Sequence, residues 1–231
     1  MPGYVIHLAV ASEIIGRKEI VDKAYINDFI LGNIIPDSMP REQKKASHFW
    51  DYETYKNLNR IPNLQVFLDK YGNKLNDPFV LGYYSHLMLD NLFVSNYWGE
   101  HFQMLDEDGK EENSYEGVAY FRMKQDGREY PRDMFLSDEL YYGDYDRMYP
   151  YILERYNIYL PELGNKKIIP INEIDYSNSF RCLSDMISTV QDLKDAVING
   201  EYNTKEKLKI FDLDHIYNLM DSVVSNVCEI I

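Results

Sequence analysis

Residues 77–102 constrain the fold more than any other part of the sequence. Asp77 and Pro78 form a helix start, with Asp as N-cap and Pro at the first helical position, where its missing N–H costs nothing. From Phe79 until Asn91 the segment is apolar almost all round. A helix with no polar face must be buried, so this one, running towards Phe102, is predicted to be the central helix around which the rest packs. Its apolar part nevertheless contains His86 and Asp90. A buried carboxylate is costly unless it is paired or metal-bound.

Helical periodicity continues elsewhere. Tyr4–Ile15 reads as a buried helix ending before Gly16, and Ala24–Ile35 as a second one, stopped by Pro36. Residues 38–60 read as loop with short helical turns, and Asn63–Tyr71 as a short amphipathic helix. Val118–Met123 followed by Gln125-Asp126-Gly127-Arg128 reads as a strand and hairpin turn. Asp138–Tyr156 is expected to be helical in part, 160–175 to be loop, and Ser177–Ile198 to be an amphipathic helix closed by Asn199-Gly200. A short helix at Thr204–Ile210 and an amphipathic one at Leu213–Ile230 complete the expectation. No internal repeat is evident. The predicted class is mainly α, a multi-helix bundle with a small, acidic, partly β insertion. A single domain spans 1–231, with site-bearing helices in 1–102, the insertion in 103–135 and C-terminal helices in 136–231.

Charge supports that division. The chain carries 24 Lys+Arg against 38 Asp+Glu, a net charge of −14. Glu100–Asp146 holds 14 acidic and 5 basic residues, so one fifth of the chain carries most of the excess. So acidic a surface disfavours duplex nucleic acid and anionic membranes as partners. No apolar run is long enough to span a bilayer. The start, Met1-Pro2-Gly3-Tyr4, lacks the basic and small-residue pattern of a secretory signal. Cys182 and Cys228, far apart, read as buried thiols in a reducing, cytoplasmic setting.

Three of the five histidines carry the chemistry. His86 and Asp90 lie four apart, so both lean onto one helix face. That pair supports two readings, an intrahelical hydrogen bond or a two-ligand clip for a divalent ion. Gly82, one turn earlier, lets another backbone approach that face. Asp37 follows Pro36 at the end of the second helix, placed either to cap the next turn or to ligate from a rigid corner. His48 is flanked by Phe49 and Trp50, which can shield a site from water, and His7 lies in the first helix. Asp214-His215 reads as decoration on a surface helix. Tyr141–Asp146 reads as a packed Tyr-rich turn or a pocket mouth. His-Glu-x-x-His, Gly-x-Ser-x-Gly and Walker patterns are absent.

The order of these pieces is informative. A His in the first helix precedes Gly32-Asn33-Ile34-Ile35-Pro36-Asp37. His48 follows, then Gly82-Tyr83-Tyr84-Ser85-His86-Leu87-Met88-Leu89-Asp90. Over roughly residues 1–100 this resembles the zinc-dependent phospholipase C family, which shares an all-helical fold with fungal single-strand-specific nucleases. The resemblance implies a bundle of that type. It also implies that His7 is the first-helix zinc ligand, that His48 and His86 bind zinc, and that Asp90 bridges two zinc ions. Asp37 then joins the metal site and serves as base for the attacking water. The chain departs from the family at Asn96, where a further zinc-binding His is expected, and in lacking a later His-x-x-x-Glu pair. His101, with Leu105 four residues on, does not restore it, and a processed N-terminal Trp ligand is missing.

The resemblance therefore implies one or two zinc-type ions. One is held by Asp37, His48, His86 and Asp90, and a second lies near His7 and Asp90. The expected activity is metal-dependent hydrolysis of a small phosphoester. The alternative is a catalytically degenerate member acting as a metal-binding or protein-interaction module, with the acidic insertion as its partner surface.

Overall fold

The computed structural model describes residues 2–50, 60–112, 117–164, 169–174, 176, 179–201 and 206–231. The chain is mainly helical with one small antiparallel sheet. Helix α1 spans Tyr4–Arg17 and α2 spans Lys23–Ile34, capped by Asp22, whose carboxylate accepts from the Ala24 and Tyr25 amides. Pro36 tightens the end of α2 into a 3-10 turn, Ile35–Ser38, which carries Asp37. A short α3, Lys44–Ser47, leads to His48. Asn63 caps α4, Leu64–Tyr71.

The central helix forms as its start signal indicates. Asp77 accepts from the Phe79 and Val80 amides, Pro78 opens α5, and α5 runs to Leu92 with Phe79–Asp90 continuously buried. A π-helical stretch, Phe93–Trp98, continues it into α6, Gly99–His101. Helix α2 makes the most extensive packing contact with α5. The reason is reciprocal. A Cβ on Gly32 would collide with the Phe79 carbonyl oxygen, and one on Gly82 with the Phe29 carbonyl oxygen. The two backbones touch where side chains are absent, as the Gly82 spacing suggested.

The insertion is a three-stranded meander. Strand β1, Phe102–Leu105, pairs with β2, Tyr120–Met123, with Phe102 opposite Met123. Strand β3, Glu129–Pro131, pairs with β2 through a turn that places Gly127 at φ 73°. The sequence indicated β2 and the turn but not β1. Short α7, Arg132–Phe135, follows. The sheet's apolar side chains join an aromatic cluster in which Phe121 and Phe135 stack at 4.4 Å and Trp98 meets Phe121 edge-on at 5.7 Å.

Three longer helices close the structure: α8, Tyr141–Arg155, α9, Ser179–Ile198, and α10, Leu213–Cys228. Gly200 at φ 74° follows α9, as Asn199-Gly200 predicts. The helix expected at 204–210 does not form over its described part, 206–210. Fully buried Asp144 accounts for this. Its carboxylate accepts the backbone amides of Lys209, Ile210 and Phe211 at 2.8–3.0 Å, and Arg147 pairs with it at 2.9 Å. Amides captured this way are not available to a helix.

Asp144→Asn turns an all-acceptor group into one with a donor amide facing N–H groups. We expect a loss of about 2–4 kcal/mol in stability. Amide exchange should accelerate selectively at 209–211. A thermal melt unchanged from the native protein would show that the carboxylate does not anchor this segment.

Two other expectations are corrected. Cys182 and Cys228 are free, but Cys182 is exposed and Cys228 half-buried, because both lie on the outer sides of amphipathic helices. His215 is more than helix decoration: its Nδ1 lies 2.8 Å from Nε2 of His101, whose own Nδ1 meets the Tyr97 carbonyl at 2.9 Å. No helix among the described residues is long and apolar enough to cross a membrane.

Candidate metal centre

Five side chains converge from α1, the 3-10 turn after α2, the end of α3, and α5. They are His7, Asp37, His48, His86 and Asp90. Asp90 is their centre. Its Oδ1 lies 3.4 Å from His7 Nε2, and its Oδ2 lies 3.4 Å from His86 Nε2 and 3.7 Å from His48 Nε2. Asp37 Oδ1 is 3.5 Å from His48 Nε2, and its Oδ2 is 4.0 Å from His7 Nε2. The His7 and His86 rings stack at 3.8 Å.

These separations are too long for good hydrogen bonds, which lie near 2.7–3.2 Å. Two ligands at about 2.0–2.2 Å from a tetrahedral ion sit about 3.3–3.6 Å apart. Most of the observed distances fall in or near that interval. The buried atoms tell the same story. Both nitrogens of His7 and His86, Nε2 of His48 and both oxygens of Asp90 are buried with no hydrogen-bond partner. Orphaned donors and acceptors in such number are costly unless something joins them.

The donor atoms form two groups of three, His7/His86/Asp90 and Asp37/His48/His86, each with its atoms within 4.8 Å. Either group can hold a metal ion. Imidazole and carboxylate together suit a borderline divalent cation such as zinc, manganese or iron. The groups share His86, so the two positions are not independent.

Local electrostatics also fit. Burial would raise the Asp90 carboxyl, but the His86 and His7 imidazoles outweigh it and hold it far below the usual range. Burial acts on Asp37 in the same direction, and His48, His86 and Lys44 together overcome it. Burial pushes His7 and His48 down, against the pull of the two carboxylates. Neutral imidazoles and ionised carboxylates are the forms that ligate.

Supporting contacts orient the ligands. His48 Nδ1 lies 3.1 Å from the Lys44 carbonyl and 2.8 Å from Ser47 Oγ. A carbonyl only accepts, so it selects the Nδ1–H tautomer and leaves the Nε2 lone pair for the cluster. Lys44 Nζ donates to the Asp37 carbonyl oxygen at 2.7 Å and lies 3.4 Å from Asp37 Oδ1. Neither Lys44 nor Ser47 was singled out from the sequence. Their positions four and one residues before His48 are the signal that points to them.

Every ligand expected from the sequence is therefore gathered here. Asn96 is not. It is exposed on the π-helical stretch, accepting from Ser95 Oγ. His101 pairs with His215 instead of joining the cluster, and Asp51 lies outside the described residues.

Four of the five side chains are at most 1% exposed, whereas Asp37 is 17% exposed. Asp37 opens onto a cavity of about 570 Å³, at whose wall Tyr141 and Tyr145 stand with their hydroxyls 3.0 Å apart. Tyr141–Asp146 is thus the first part of a helix whose tyrosines are both packed and cavity-lining. Compared with known proteins, the chain matches no family model, no curated protein and no solved structure.

Proposed function

We propose that the chain is a metal-dependent hydrolase of a small phosphoester, working at a zinc-type centre of the phospholipase C and nuclease kind. One observation carries this reading. A buried cluster of three imidazoles and two carboxylates, most of whose facing atoms lack a hydrogen-bond partner, presents its single accessible member, Asp37, to a cavity. Asp37, His48, His86 and Asp90 would hold one ion, with His7 beside Asp90 for a second. A bound divalent ion lowers the pKa of its water and polarises a phosphoryl oxygen.

The protein's own part follows from the contacts. Lys44 fixes the Asp37 backbone and one carboxylate oxygen, so the carboxylate meets the cavity in one orientation. Asp37 accepts the proton of the attacking water. The water oxygen bonds to phosphorus, the P–O bond to the alcohol breaks, and the proton leaves with that alcohol. Two carboxylates against one Lys leave the cluster with one excess negative charge, which a divalent cation reverses, so the acidic chain can still receive a phosphate.

The test uses p-nitrophenyl phosphate and bis(p-nitrophenyl) phosphate with zinc-, manganese- and iron-loaded protein. Turnover is expected for at least one combination. Asp37→Asn should then lower kcat by about 10²–10⁴. Lys44→Ala should lower it by about tenfold, with partial recovery in Lys44→Arg, since Lys44 acts through Asp37. Metal bound with no turnover of either ester would favour the second reading, a metal-binding or interaction module. The exposed Asn96 and the diversion of His101 to His215 support that alternative.

A further inference from the structure

We propose that the cavity beside Asp37 selects phosphoesters whose organic part is a compact, uncharged aromatic group. The phosphate end of this inference rests on the hydrolase reading, whereas the cavity chemistry stands apart from it. The walls include Trp98 from the π-helical stretch, Met104 from β1, Phe121 from β2, Leu136 after α7, and Tyr141 and Tyr145 from α8. Of the described Asp, Glu, Lys and Arg residues, only Asp37 and Arg60 belong to the lining.

Three features narrow the occupant. The lining carries tyrosine hydroxyls, Asp37 and Arg60, but most of it is apolar, so a flat aromatic group covers more of it than a sugar or polyol does. At about 570 Å³ the cavity lies in the range that holds a drug-sized molecule. The aromatic walls are also held in place. Trp98 makes edge contacts with Phe102, Phe121 and Tyr141 at 5.1–5.7 Å, so a flat ring meets preformed faces and edges. The thioethers of Met104 and Met186 adjust to its outline. The acidic insertion thus has two characters, charged outside and apolar towards the metal centre. A neutral aromatic group also avoids repulsion by the chain's negative charge.

Calorimetry and kinetics on zinc-loaded protein test this with 1-naphthyl phosphate, methyl phosphate and the phosphate-free 1-naphthol. The naphthyl ester should bind more tightly than the methyl ester by on the order of a hundredfold. Leu136 and Met104 are half-buried, so Leu136→Trp and Met104→Trp can fill the cavity without opening the core. Each should weaken naphthyl phosphate and 1-naphthol binding by about tenfold or more, with zinc content unchanged. Equal affinity for the two esters, or no effect of either filling variant, would overturn the inference while leaving the hydrolase reading intact. If no ester is hydrolysed but 1-naphthol binds and both variants abolish it, the cavity assignment stands and the hydrolase reading falls.

Discussion

Zinc uptake should disappear in His86→Ala and weaken in Asp90→Asn, and the first is the largest change a single substitution is expected to make. His86 belongs to both ligand groups, and Asp90 lies within 3.7 Å of three imidazoles. Removing His86 leaves no complete group of three, whereas Asp90→Asn breaks the His7 group and leaves Asp37, His48 and His86 without the nearby carboxylate. Asp90→Asn keeps the shape and removes one negative charge. In the native protein, purified without chelator or affinity-tag metal, elemental analysis should find at least one equivalent of a divalent metal. Ligation should also stabilise the fold, because the five side chains come from four different segments. At about 100 times Kd a bound ion adds about 2.7 kcal/mol. For a chain of this size that raises the melting temperature by about 5–10 °C. Chelator should reverse the shift in the native protein and do nothing to His86→Ala. Less than about a tenth of an equivalent, with no uptake on titration, would remove the metal centre from consideration.

The candidate ligands His7, Asp37, His86 and Asp90 were legible because each sits on, or at the end of, a helix whose apolar pattern fixes its face, and His48 because Phe49 and Trp50 follow it. His7 and His86 occupy buried positions of buried helices, and Pro36 marks where α2 must stop and present Asp37. What was not legible depends on partners distant in sequence. Strand β1 exists because Phe102 meets Met123, and no local pattern at 102–105 announces that pairing. His101 and His215 are 114 residues apart. The failure of 206–210 to form a helix originates in Asp144, which draws three successive amides to one carboxylate. Lys44 escaped notice because α3 has only four residues, too short for periodicity to show which way its side chains point. The cavity is lined by segments from the start of α1 to α9, so its apolar lining could not be read from the charge of the insertion that supplies part of it.

The sequence also contains a short echo, Phe29-Ile30-Leu31-Gly32 and Phe79-Val80-Leu81-Gly82, too brief to register as a repeat. Its meaning is geometric. Each glycine receives the carbonyl oxygen of the phenylalanine in the other segment, so α2 and α5 cross with near-symmetric contacts. Just beyond the crossing, α2 delivers Asp37 and α5 delivers His86 and Asp90. Gly82→Ala should therefore injure both fold and site. The added methyl would collide with backbone, which cannot rotate away as a side chain can, so the helices must separate along their length. We expect a loss of about 3 kcal/mol or more, a large part of the 5–15 kcal/mol that holds most domains together. The melting temperature should fall by about 6–12 °C, and surviving folded protein should bind zinc more weakly because its ligands are carried apart. Gly32→Ala should behave alike. Gly16→Ala is the control. That glycine is exposed near the end of α1 with open space where a Cβ would lie. There the same substitution should be neutral or stabilising by up to about 1 kcal/mol through better helix propensity. Melting curves of the three variants decide the matter. If Gly82→Ala melts with Gly16→Ala, the close crossing does not hold the metal ligands together.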